Sequence, residues 1–157
     1  MFHKYLFVGL GGSGGKTLRF LKRDIGRWME RNGQGNNVPD GWKFLHIDTP
    51  TNPDGNELNH IVPQIGIDEY LGLIDFGIDM HAVQANLDSK KNLHEEMMSW
   101  RIAPAAMGVP LTLGAGQFRA IGRTVAIWTA DRIREALNHA LADLESASIE
   151  SELKELY

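Results

Sequence analysis

Between Gly9 and Gly15 the chain reads Gly-Leu-Gly-Gly-Ser-Gly-Gly, followed at once by Lys16 and Thr17. The residues before it, Tyr5-Leu6-Phe7-Val8, form a short apolar run, and those after it resume with helical spacing. A strand, a glycine-rich bend and a helix start in that order suit phosphate. The helix N-terminus offers unpaired N–H groups and the positive end of its dipole, and residues without side chains let an anion come close. A second glycine segment, Gly114-Ala115-Gly116-Gln117, follows the short apolar run Leu111–Leu113. A third candidate is Asp48 with Thr49, at the end of the apolar run Trp42–Ile47. An acidic residue there can hold a ribose, or Mg²⁺ through water, or simply cap a turn. Arg119 reads equally as a cation beside a terminal phosphate and as an exposed first-turn residue.

Three kinds of nucleotide site use a loop of the first sort. Gly9, Gly11 and Gly14 fit G-x-G-x-x-G, the dinucleotide fingerprint, which pairs with an acidic residue about 20 positions on. Asp48 lies well beyond that offset. ATP-dependent adenylating enzymes have a similar loop. Gly15-Lys16-Thr17 has the ending of a P-loop, but that motif needs glycine where this chain has Leu10. Neither a dinucleotide-binding dehydrogenase nor a P-loop enzyme predicts the second glycine segment.

The elements that would position these residues can be read from apolar spacing. Leu18, Leu21, Ile25, Trp28 and Met29 give one helical face over Thr17–Arg31, with Arg19, Lys22, Arg23, Arg27 and Arg31 on the others. Trp42–Asp48 reads as a second strand. Strand, helix and strand imply a parallel βαβ unit, whose strand C-termini share the edge where ligands bind in such sheets. Residues Thr49–Pro110 are less regular. Asp68–Phe76 and Met80–Trp100 are plausible helices, and the stretch reads as an elaborated crossover inserted in one domain rather than a second domain. Ser99-Trp100-Arg101, before Pro104, would brace that insertion on the core. A long helix over Phe118–Ser146 is expected next, with Ile121, Val125, Trp128, Ala136, Leu137, Ala140, Leu141 and Leu144 on its buried side. Ala147–Tyr157 reads as an acidic, weakly amphipathic tail, either a helix end or a frayed terminus.

Composition narrows the function further. A chain of 157 residues suits one domain with a real core, and a net charge of −4 gives no general attraction to nucleic acid or to an anionic membrane. Cysteine is absent, so disulfides and thiolate sites are excluded. His3, His46, His60, His81, His94 and His139 show no ligand spacing such as H-E-x-x-H, and no nucleophile–base pair is visible. The start Met1-Phe2-His3-Lys4 lacks a signal-peptide pattern and no apolar run reaches membrane-spanning length, so a cytoplasmic location is the default expectation.

Taken together, three segments resemble the tubulin/FtsZ family of GTPases, in particular its divergent bacterial tubulin-like group. Val8–Gly15 is similar to the family's first phosphate loop. Phe44-Leu45-His46-Ile47-Asp48-Thr49 is similar to its second strand and the loop after it. Leu113-Gly114-Ala115-Gly116-Gln117-Phe118-Arg119-Ala120-Ile121-Gly122-Arg123 resembles its Gly-Ala-Gly loop and the Ile-Gly-Lys/Arg step that opens a long helix. The resemblance implies an α/β fold with a parallel Rossmann-like sheet and flanking helices. It makes residues 1–146 the N-terminal half of a nucleotide-binding domain with an insertion at about 49–110, and 147–157 a tail. It implies GTP or GDP with Mg²⁺ as ligands. Amides of Gly11, Gly12, Ser13, Gly14 and Gly15, with Lys16, would hold the inner phosphates. Gly114, Ala115, Gly116, Gln117 and Arg119 would sense the terminal one, and Asp48 and Thr49 would lie near metal or sugar. Lys16 and the Gln117-Phe118-Arg119 continuation depart from the usual pattern. The family's Gly-Gly-Gly-Thr-Gly-Thr-Gly loop and its acidic activating loop do not occur in the sequence. The implied partner is therefore the remainder of the domain or another copy, as a homo-oligomer or filament, and GTP hydrolysis is expected at subunit contacts rather than in this chain alone. The rival expectations are a Rossmann-type NAD-binding or ATP-dependent adenylating protein, and a non-catalytic assembly module.

Overall fold

The computed structural model describes residues 3–53, 64–90, 101–103, 107–108, 110–116 and 118–155. Strand β1 (Tyr5–Leu10) runs parallel to β2 (Trp42–Asp48), in register from Tyr5 opposite Trp42 to Leu10 opposite Ile47. A third strand, β3 (Tyr70–Gly72), pairs in parallel with His46–Asp48, so the sheet order is β1-β2-β3. The fold is thus α/β with a parallel sheet, as the βαβ spacing implies.

The central strand is buried on both faces, which its near-continuous apolar run requires. On one side Phe44 packs with Leu18, Ile25 and Met29 of helix α1 (Gly11–Arg31) and with Ile65. On the other, Leu45 and Ile47 meet Leu73, Ile74, Met80, Val83, Leu87, Ile102, Leu111, Ile121 and Val125. Burying each such side chain fully is worth roughly 2 kcal/mol. The second layer draws on α2 (Met80–Asp88), α3 (Arg119–Trp128) and α4 (Ala130–Leu144). Asp79 starts α2 by accepting the Ala82 N–H at 2.8 Å.

Several sequence expectations need correction. Helix α1 begins at Gly11, so the segment expected to be a loop is already the first turn, and the helix does not wait for Thr17. Glycine is a poor helix former, and tertiary packing overrides it here. A Cβ on Gly9 would stand 2.7 Å from the Gly14 carbonyl oxygen, and one on Gly15 would stand 2.1 Å from His46 Cε1. Trp28, placed on the buried face by spacing, is 46% exposed. The helix expected over Asp68–Phe76 is a short 3₁₀ turn (Ile67–Glu69) running into β3. The expected Met80–Trp100 helix stops at Asp88, and residues 91–100 lie outside the described ones, as does Pro104. The single helix of Phe118–Ser146 is two, broken at Thr129, and Leu141 is exposed. The acidic tail is helix α5 (Ala147–Glu155), whose Ile149 and Leu153 pack with Leu144 and Leu6.

Two polar ties hold the β3 end. Lys22 on α1 pairs with Glu69 at 2.6 Å. Arg132 on α4 donates to the Gly72 and Leu73 carbonyls at 3.1 and 3.2 Å, and to Asp75 at 3.2 Å.

Candidate functional site

Because β1 and β2 are parallel and in register, both end at the same rim of the sheet. Leu10 and Asp48 stand there. The rim also receives the segment before α3, through a 3₁₀ turn (Leu111–Leu113) that packs Leu111 into the core. A cavity of about 610 Å³ lies between these parts. From the first glycine segment it is lined by Gly11 and Gly12; from the second, by Gly114, Ala115 and Gly116; from the end of β2, by Asp48, Thr49 and Pro50. Its remaining walls are mostly apolar, including Ile47, Leu73, Leu113 and Ile133. That size falls within the roughly 300–1,000 Å³ of small-molecule sites, and the pattern of apolar walls with a few convergent polar groups is theirs too.

The lining offers backbone groups and one carboxylate. Helix α1 has no side-chain cap at its N-terminus and no acidic residue in its first turn. Its leading N–H groups have no acceptor within the helix, and the helix dipole places partial positive charge at that end. Gly114 adopts φ 100° and ψ 176°, a conformation essentially restricted to glycine. It carries the chain past Pro50, and a Cβ there would be 3.6 Å from Pro50 Cγ. Asp48 is half-buried, and its Oδ1 accepts the Thr49 N–H at 2.7 Å, which leaves the other oxygen for a further partner.

The structure therefore brings together seven of the residues singled out from sequence: Gly11, Gly12, Asp48, Thr49, Gly114, Ala115 and Gly116. Ser13, Gly14, Gly15, Lys16 and Arg119 do not line the cavity. Gly14 faces Gly9, Gly15 faces His46, and Lys16 is exposed. Gln117 lies outside the described residues. Sequence reasoning missed the apolar walls and Pro50, since only the fold brings Leu73 and Ile133 to this rim. It also passed over His46, whose one sequence signal was its place two residues before Asp48. A larger hollow of about 860 Å³ lies between the start of β2 and α4, and none of the candidate nucleotide-binding residues lines it.

Fold and site together define an α/β protein with two glycine segments facing one cavity at the C-terminal rim of a parallel sheet. The family described as "Tubulin like" matches residues 6–156. The chain belongs to the tubulin-like family. Comparison with curated proteins gave no match, and comparison with solved structures gave none. No helix among the described residues is long and apolar enough to cross a membrane.

Proposed function

We propose that this chain binds GTP or GDP with Mg²⁺ in the cavity between Gly11–Gly12 and Gly114–Gly116, and that it self-associates. One observation carries the reading: two glycine segments about a hundred residues apart in sequence line the same 610 Å³ cavity, with the uncapped start of α1 between strand and helix. The N–H groups at the start of α1 would hold inner phosphates, and the Gly114–Gly116 segment would approach the terminal one. No Lys or Arg is among the described residues lining the cavity. Phosphate charge would thus be met by backbone amides, the helix dipole and the metal. Mg²⁺, when bound with nucleotide, would offset that charge, and Asp48 is the lining carboxylate able to hold it through water.

Self-association is supported by the free edge of β1. Among the described residues it pairs on one side alone, and Tyr5, Val8 and Leu10 are 44%, 42% and 69% exposed. An apolar parallel edge of this kind invites another strand. Hydrolysis by this chain alone is expected to be weak or nil.

A nucleotide panel on the full chain, read by equilibrium binding with and without Mg²⁺, tests the proposal. GTP and GDP should bind more tightly than ATP, ADP and NAD, with affinity rising with phosphate number. Preference for NAD or ATP, or no binding of any nucleotide, would overturn it. Robust GTP turnover at low protein concentration would refute the expected inactivity of the isolated chain.

A further inference from the structure

His46 is 2% exposed, yet its ring belongs to no cluster that the proposed function uses. It lies on β2 two residues before Asp48, so the two side chains leave the strand on the same face. Its Nε2 is 3.0 Å from the Gly11 carbonyl oxygen. The same nitrogen is 3.6 Å from Asp48 Oδ2, too far for a hydrogen bond. The ring fills the place where Gly15 has no side chain. On its other flank Tyr70 of β3 meets it edge-on, with ring centroids 5.1 Å apart. Tyr70 is itself fixed, its hydroxyl donating to the Pro50 carbonyl at 2.6 Å. The imidazole is thus held between the first turn of α1, the end of β2 and β3.

A trans peptide is planar, with its C=O and N–H pointing opposite ways. When the Gly11 carbonyl points at His46, the Gly12 N–H points away from it, and Gly12 borders the cavity. A peptide between two glycines has little steric resistance to turning over. At this first turn of α1 it is held by the hydrogen bonds its carbonyl accepts, from within the helix and from His46. Turned over, it would present a carbonyl oxygen where an anion needs a donor. We propose that His46 is a positioning residue: as the Nε2–H tautomer it donates to the Gly11 carbonyl and so keeps the Gly12 N–H directed at the bound phosphate. This inference rests on the nucleotide reading of the cavity, and it adds a residue that neither touches the ligand nor lines its site.

The test uses the ¹⁵N-labelled full chain as wild type, His46→Leu and His46→Gln, with GDP as the probe. Leucine fills the space without a donor, and glutamine restores an N–H with comparable reach. His46→Leu should weaken GDP binding about 10-fold, the scale of one lost hydrogen bond, and broaden the Gly12 amide resonance without ligand. His46→Gln should restore both. Equal losses in the two variants, or an unchanged Gly12 amide in His46→Leu, would overturn the proposal and leave His46 a core side chain. If wild type binds no GDP, the nucleotide reading falls. The Gly12 amide then decides the positioning role by itself: broadening in His46→Leu with recovery in His46→Gln supports it, and no change overturns it. Should His46→Leu fail to fold, the wild-type imidazole ¹⁵N spectrum decides. An Nε2–H tautomer with a slowly exchanging proton supports the proposal, and an Nδ1–H tautomer overturns it.

Discussion

At the junction of β1 and α1, side chains on Gly9, Gly14 and Gly15 are excluded because other atoms already stand where they would go. Gly14 touches the backbone of Gly9 and Gly15 is filled by His46. At Gly114 the reverse holds: the nearest atom to a Cβ would be an ordinary contact at 3.6 Å, and it is the backbone angle, φ 100°, that excludes one. Gly11, on the cavity's first side, follows Gly114: its φ is 68° and no atom lies within 4 Å of where a Cβ would be, so the crowded glycines stand behind the cavity and the positive-φ ones border it. The first set is a packed backing whose geometry is set by neighbours. The second is an irregular wall whose geometry is set by its own dihedrals. The same residue type, read in a sequence as "flexible loop", thus gives a tight backing in one place and a bent lining in another.

That contrast predicts a ranking of substitutions. Gly9→Ala should be the most damaging, because its Cβ would meet the Gly14 carbonyl carbon and oxygen at 2.8 and 2.7 Å, and backbone cannot swing aside. A loss of about 3 kcal/mol in denaturant unfolding is expected, with GDP binding lost as well; a variant of wild-type stability would show that the close approach is not built in. Gly114→Ala should cost about 1–3 kcal/mol, the strain of its conformation. Its effect should fall on the terminal-phosphate side, weakening GTP more than GDP, and equal weakening of both would remove that segment's role. Lys16→Ala should change stability by less than about 0.5 kcal/mol, since the side chain is exposed. Its GDP affinity should stay within about 2-fold; a tenfold loss would return Lys16 to the site despite its position outside the cavity.

Much of this frame was legible in the residues. Trp42–Asp48 was bounded by Gly41 and by the turn-forming Thr49-Pro50, and with the strand and helix before it read as the second strand of a parallel βαβ unit. That the first glycine segment and Asp48 share one rim followed from strand direction, whereas the second glycine segment was placed there by the family resemblance. What escaped had no local signal. Strand β3 is three residues long, too short to show alternation, and exists because His46–Asp48 offers it a partner. The break at Thr129 involves neither Gly nor Pro; its hydroxyl donates back to the Val125 carbonyl at 2.8 Å, a habit of threonine that competes with helix continuation. Helix α5 looked like a polar tail because only Ile149 and Leu153 face inward. Within the site, the glycines and Asp48 declared themselves by type, whereas His46 and the apolar walls acquire meaning only through contacts distant in sequence.

The two margins of the sheet are also unequal. Beyond β2 the sheet tapers to the three residues of β3, and the Arg132 guanidinium takes up the Gly72 and Leu73 carbonyls where that strand stops. Across from it, the six residues of β1 pair with β2 alone among the described ones. Among the described residues the sheet therefore differs sideways as well as along its strands: a cation meets the carbonyls at the end of one margin, and the other margin is a longer strand paired on one side alone.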